Sequence, residues 1–222
     1  YGPHCKLVLR NGFFKGNVIS GGGAGQFFDY SSRVRIYDSN FVNNETTRRY
    51  YWHLPLGTDV PYRTPYGGAQ QFSQSSNIGV SNTNFIGNYA RSSGGAQYLS
   101  TSSAINVEKS LYQDNLSGYD GGGLFSRYEN VLDINSCEFT ENAAGNSGGA
   151  LYGGGLVMYG GMGPYNNSDV SITDTNFIRN VAGLGGAAYW YGNQSMFDIT
   201  KCLVVGNVAD HGGGMFWSGG KP

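Results

Sequence analysis

The chain has 222 residues, with 14 Lys plus Arg against 15 Asp plus Glu and a formal net charge of −1. That balance excludes a protein that holds a phosphate backbone by counterion release, and no run of about 18 apolar residues exists to cross a bilayer as a helix. With 13% charged residues, 14% aromatic residues and 37 Gly, charge-driven disorder is excluded and internal repetition of a packed, turn-rich unit becomes the first thing to test.

Taken in chain order, seven copies of one unit follow each other, centred on Asn17, Asn44, Asn88, Asn115, Asn142, Asn180 and Asn207. The intervals are 27, 44, 27, 27, 38 and 27 residues, which is one period of 27 with two insertions. Ten residues before each Asn stand Leu7, Val34, Ile78, Ile105, Leu132, Val170 and Phe197; eight before stand Leu9, Ile36, Val80, Val107, Ile134, Ile172 and Ile199. Three before stand Phe14, Phe41, Phe85, Tyr112, Phe139, Phe177 and Val204. A spacing of two puts the first pair of columns on one face of a strand, whereas a helix would need apolar residues three and four apart.

A strand pair alone does not consume 27 residues, but a coil of three short strands joined by turns does. Stacked coils lie about 4.8 Å apart, so each residue packs on its own counterpart. The Asn column reads as a tight inward turn that tolerates left-handed dihedrals and bonds amide to amide above and below. The Gly pair that follows reads as a second sharp turn, requiring positive φ or close backbone approach. An aromatic stack on the third strand is expected from Tyr98, Phe125, Tyr152, Tyr189 and Phe216. The fold predicted is all-β: one single-stranded right-handed parallel β-helix over residues 1–222, of seven coils, with insertions at about 45–66 and 153–165.

The same motif carries a resemblance. Phe85-Ile-Gly-Asn88 with Gly94-Gly95-Ala96, Phe139-Thr-Glu-Asn142 with Gly148-Gly149-Ala150, and Phe177-Ile-Arg-Asn180 with Gly185-Gly186-Ala187 resemble the repeats of the chlamydial polymorphic outer-membrane proteins and related β-helical surface proteins. The resemblance covers essentially the whole chain, with Gly-Gly-Gly for Gly-Gly-Ala in the fourth and seventh coils and Val204 for Phe. It implies an extracellular β-helix, adhesive or structural, with no catalytic residues to carry over.

Cys137 and Cys202 share the column five before the Asn with Ser39, Thr83, Ser110 and Thr175, and lie two coils apart, roughly 9–10 Å and too far for a disulfide. With Cys5, which stands in a Ser column, they read as small buried free thiols. Of four N-x-S/T sequons, those at Asn44 and Asn115 fall on the inward ladder and are discounted; Asn166 and Asn193 are the candidate glycan acceptors. A chain beginning at Tyr1 reads as a mature or excised segment. Seven whole coils from Cys5 to Lys221 leave no room for a cap, so the expectation is either continuation in a longer β-helix or end-to-end stacking of copies.

Carboxylates were sought because many β-helices cleave polysaccharides. Asp133 and Asp198 share a column, with Ser171 between them and Glu108 diagonal to Asp133, and solvated strand faces explain them better than catalysis. His211 and Asp120 share a column three coils apart. There is no HExxH, Cys-x-x-Cys, EF-hand, G-x-S-x-G or P-loop pattern, so neither metal nor cofactor is expected. The insertions carry the candidate contact residues: Arg48, Arg49, Tyr50, Tyr51, Trp52, Tyr62 and Arg63 in the first, and Met158, Tyr159 and Met162 in the second. The function expected is a non-enzymatic structural segment of an extracellular or cell-surface fibre, filament or adhesin, with self-association, a glycan or a surface protein as partner. The alternative is a carbohydrate-binding or polysaccharide-cleaving β-helix of the pectin-lyase-like type.

Overall fold

Alternation along each short strand turns every second side chain inward, and repetition of that pattern stacks the strands in parallel. The computed structural model describes residues 6–29, 33–47, 66–73, 77–100, 104–127, 131–145, 156–159, 169–191 and 197–218. These form four parallel sheets of seven strands each. The first sheet takes Lys6–Arg10, Arg33–Tyr37, Ile78–Ser81, Ala104–Glu108, Val131–Asn135, Val170–Thr173 and Phe197–Thr200 in that order. The second takes Phe13–Lys15 through Leu203–Val205, the third Val18–Ile19 through Val208–His211, and the fourth Gln26–Asp29 through Met215–Ser218. Register is continuous: Leu132 faces Val170, and Val170 faces Phe197. The fold is thus a parallel β-solenoid with one strand per rung in each sheet.

A coil holds four strands where three were expected. The extra one is the short segment after the ladder Asn, such as Tyr89–Ala90, which pairs with Glu45–Thr46 and Leu116–Ser117 before the Gly turn begins. Five inner rungs are covered on both sides, and their Asn44, Asn88, Asn115, Asn142 and Asn180 are fully buried. The two outer rungs are open on one side.

Between the first, second and fourth sheets runs one core. The two aliphatic columns are buried in every inner rung, from Val34 and Ile36 to Val170 and Ile172. Beside them Phe14, Phe41, Phe85, Tyr112, Phe139 and Phe177 form an unbroken stack, with centroids 4.7, 5.1, 4.8, 4.5 and 5.3 Å apart and planes within 20°. Rung spacing imposes this face-on geometry, and each buried ring contributes about 2–3 kcal/mol of transfer free energy.

The turns divide the conformational work differently from the expectation. The ladder Asn residues are not left-handed; the residue before each one is: Gly16, Asn43, Gly87, Asp114, Glu141, Arg179 and Gly206 all have φ between 52° and 65°. A second left-handed column precedes it by five residues, from Asn11 and Asp38 to Lys201. In the Gly pair the first member combines positive φ with a close backbone contact inside its own rung, and the second is pressed against the next rung. Gly94 has φ +73°, whereas a Cβ on Gly95 would lie 2.1 Å from the Gly122 carbonyl oxygen of the next rung.

Both insertions are narrower or displaced. Glu45–Thr46 belongs to the third sheet, and Tyr66 stacks on Tyr98 at 4.1 Å, so the ends of the first insertion are part of the coil. In the fifth coil the rung of the fourth sheet is Leu156–Tyr159, which pairs with Leu124–Arg127 and Ala188–Tyr191. Met158 and Tyr159 therefore sit in a strand and not in a loop, and Val157 takes the register expected for Tyr152. Tyr152 itself lies outside the described residues.

Candidate functional site

Residue by residue, the polar chemistry of the molecule is spent along its axis. Each Asn Nδ2 donates to the Oδ1 of the next: Asn17 to Asn44 at 2.7 Å, Asn44 to Asn88 at 3.0 Å, Asn88 to Asn115 and Asn115 to Asn142 at 2.9 Å. Asn142 to Asn180 at 3.0 Å and Asn180 to Asn207 at 2.9 Å complete the row. The second Nδ2 hydrogen of Asn115 goes to the Phe85 carbonyl oxygen one rung back, at 2.9 Å. Its Oδ1 also accepts the backbone N–H of Asn88 at 3.0 Å. An inner amide thus makes all four of its hydrogen bonds, which is why it can be fully buried. The row is also polar: every Oδ1 points toward the preceding rung.

The column that holds the cysteines makes a second row. Ser39, Thr83, Ser110 and Thr175 each donate a hydroxyl to the carbonyl two residues back, at 2.8–2.9 Å. Cys137 and Cys202 repeat the contact with their thiols at 3.3 Å. Both cysteines are free, and Thr175 stands between them, its Oγ1 accepting from the Cys137 N–H at 3.3 Å. Burial pushes the Cys137 thiol up to about 12, with the charges of Glu108 and Asp133 adding to it, and burial also raises Cys202. Such a thiol packs rather than reacts. Cys5 lies outside the described residues.

A third row, of glutamines, runs beside these two. Gln97 Nε2 donates to Gln70 Oε1, and Gln70 Nε2 to Gln26 Oε1, both at 2.7 Å. The next rung has Leu124 in this register, and the Tyr112 hydroxyl donates to the Gln97 oxygen instead. Tyr112 is the one hydroxylated ring in the inner aromatic stack, and burial drives its pKa well above the ordinary value. The detectable signal was there, since Gln26, Gln70 and Gln97 recur at the same intervals of 44 and 27 as the Asn row.

The other stack predicted, that of Tyr98, Phe125, Tyr189 and Phe216, lies on the outer face of the fourth sheet. Gln97 and Leu99 turn inward there, and Tyr98, Phe125 and Tyr189 make a separate buried cluster with Tyr66, Leu184 and Phe216 around it. Tyr98 and Phe125 stack at 5.0 Å, Tyr189 and Phe216 at 5.5 Å.

The outer face of the first sheet carries the carboxylates considered for catalysis. Asp133 faces Asn106 and Ser171, and Asp198 lies one strand further on. Glu108 Oε1 accepts from Ser81 Oγ at 2.8 Å. A shallow hollow opens around Gly79, lined by Arg35, Tyr37, Ser81, Asn106 and Glu108. Arg35 leans across Gly79, donating to the Val34 and Asn77 carbonyls at 3.0 and 3.4 Å, while the Arg10 guanidinium sits 5.3 Å from the Tyr37 ring centroid. Among the described residues no group of three His, Cys, Asp or Glu side chains could hold a metal ion. No described helix is long and apolar enough to cross a membrane.

Among the described residues, the first and last rungs expose the most apolar side chains. Leu7, Phe13, Val18 and Phe27 are exposed at one end, and Leu203, Val204, Val205 and Val208 at the other. No protein-family model, curated protein or solved structure matches the chain. Of the proposed contact residues, Arg48, Arg49, Tyr50, Tyr51, Trp52, Tyr62, Arg63 and Met162 lie outside the described residues, as do the sequons at Asn166 and Asn193. Those at Asn44 and Asn115 hold fully buried ladder amides.

Proposed function

We propose that the chain is a non-enzymatic structural segment of an extracellular or cell-surface β-helix, serving in a fibre or adhesin as the chlamydial-type repeats do. The observation that carries this reading is the commitment of the buried polar groups to the next rung. Asn, Ser/Thr and Gln rows run along the axis; the Asn row spans all seven rungs, and the Gln row runs from Gln26 to Gln97. A scaffold of this kind gains stiffness from every added rung, and the inserted residues 48–63 and Met162 supply contacts to a glycan or surface protein.

The polysaccharide-cleaving alternative needs two carboxylates flanking one bond, about 5–9.5 Å apart on one open face. Asp133 and Asp198 are two rungs apart with Ser171 between them, at about 9.6 Å from the rung spacing, and Glu108 is engaged with Ser81. Assay of the purified chain against polyuronates and neutral polysaccharides is expected to show no turnover. Turnover abolished by Asp133→Asn would reverse the assignment. Protease treatment of intact source cells is expected to release the protein, and full protection in intact cells would count against a surface location. Mass spectrometry of the native material decides Asn166 and Asn193.

A further inference from the structure

The outer face of the first sheet is charged in two blocks. The first two rungs present Lys6, Arg10, Arg33 and Arg35; the fourth to seventh present Glu108, Asp133, Asp169 and Asp198. Four cations lie toward one end of the axis and four anions toward the other; Asp169 stands just before its strand, and the turns that follow the strands of this sheet add Asp38, Lys109, Asp174 and Lys201. The two end rungs are therefore electrostatically complementary to each other and not to themselves.

We propose that the last rung of one copy docks on the first rung of a second copy, head to tail, in the register that continues every row. This deepens the structural reading given above and rests on it. Continuing the observed register places Asp198 opposite Val8 of the second copy, diagonal to Lys6 and Arg10 on the same face, within reach of their long side chains. It sets Val204 on Phe14, extending the inner aromatic column, and Phe216 on Phe27 and Val208 on Val18, extending outward columns of the fourth and third sheets. The amide row closes as well: Asn17 Oδ1 accepts nothing among the described residues, and Asn207, whose Nδ2 bonds the Phe177 carbonyl oxygen at 2.9 Å, has no following Asn. A second copy lets Asn207 give its other Nδ2 hydrogen and its N–H to that Oδ1, as each inner Asn does.

The outward column four before the Asn supports contact at both ends. It reads Phe13, Asn40, Asn84, Leu111, Glu138, Asn176, Leu203. Its two terminal members are apolar and exposed, Phe13 at 66% and Leu203 at 47%, and head-to-tail docking brings these two together. Head-to-head docking would oppose Lys6 and Arg10 to their own copies, which like-charge repulsion disfavours. The contact is heterologous and does not close, so it builds a filament advancing about 34 Å per copy.

The test uses the 222-residue chain in sedimentation velocity and electron microscopy. At tens of micromolar and low salt, head-to-tail oligomers are expected, weakening as salt is raised. Asp198→Lys alone and Lys6→Glu/Arg10→Glu alone should each weaken association about tenfold or more, with unchanged circular dichroism because all three side chains are exposed. An equimolar mixture of the two variants should restore assembly, since each then offers the charge the other lacks. A chain that stays monomeric at low salt, or variants that assemble like the parent, or a mixture that fails to recover, would overturn the proposal. Monomers would leave the structural reading intact for a segment whose ends are covered within one longer chain, whereas polysaccharide turnover dependent on Asp133 would remove that reading.

Discussion

Asn115 shows how much one side chain carries. Its Oδ1 accepts the Asn88 Nδ2 and N–H, and its Nδ2 serves Phe85 and Asn142. Asn115→Ala strands the Asn88 donors and the Phe85 acceptor in the core, so a loss of about 3 kcal/mol or more is expected in denaturant unfolding. Tyr112→Phe leaves the Gln97 oxygen unpaired and should cost about 1–3 kcal/mol despite removing a single atom. Cys137→Ser should be close to neutral, because Ser110 and Thr175 already make the same carbonyl contact in the same column. In the native state the Cys137 thiol should resist Ellman's reagent at pH 8, and rapid labelling would contradict its burial. The pH sign follows from folded values raised above the ordinary 9.0 of the thiol and 10.0 of the phenol. The contribution of both groups is complete below pH 9 and is lost as pH rises toward 12 and beyond. Unfolding free energy measured from pH 8 to 11 should therefore fall on the alkaline side.

At the scale of strands and turns, the second glycine of the pairs at Gly68, Gly95, Gly122 and Gly186 is pressed against backbone of the next rung. Gly95→Ala puts a Cβ 2.1 Å from a backbone oxygen that belongs to the next rung. The two rungs would have to separate, and the melting temperature should drop by more than for Gly16→Ala, where nothing lies within 4 Å and only the left-handed φ is strained. Equal effects would mean the rungs are not in close contact there. This scale also shows what could be read from the residues. Columns such as Val34 to Phe197 were legible because the solenoid sets each residue on its own equivalent, so packing chemistry recurs at the period. The strand Leu156–Tyr159 was not legible, because an insertion breaks the period and two strand choices follow the same Gly pair. The left-handed position lies one residue before the Asn, where Gly16, Gly87 and Gly206 mark it, because the Asn side chain serves the ladder and not the dihedral. The outward direction of Tyr98 and Phe125 was hidden because alternation gives two faces without saying which is inside, and the Gln97–Tyr112 bond needed the coil to be closed.

For the molecule as a whole, the five inner rungs and the two end rungs differ in exposure rather than in design. A solenoid is stabilised by nearest-neighbour contacts, so each end rung lacks half of what an inner rung has. The charge blocks on the first sheet and the open amide at each end give the molecule a direction, which is what a head-to-tail assembly requires. The candidate site is thus partly legible: the ladder follows from the repeat period, while the charge asymmetry depends on which columns face outward, which alternation alone does not tell. The continuous Asn row underlies all of this, and side-chain hydrogen exchange followed by NMR tests it most directly. The carboxamide protons of Asn88, Asn115 and Asn142 should persist in heavy water as long as the slowest backbone amides of the first sheet. Loss of those protons at the rate of an exposed Asn, in a chain that is otherwise folded, would contradict the stacked row.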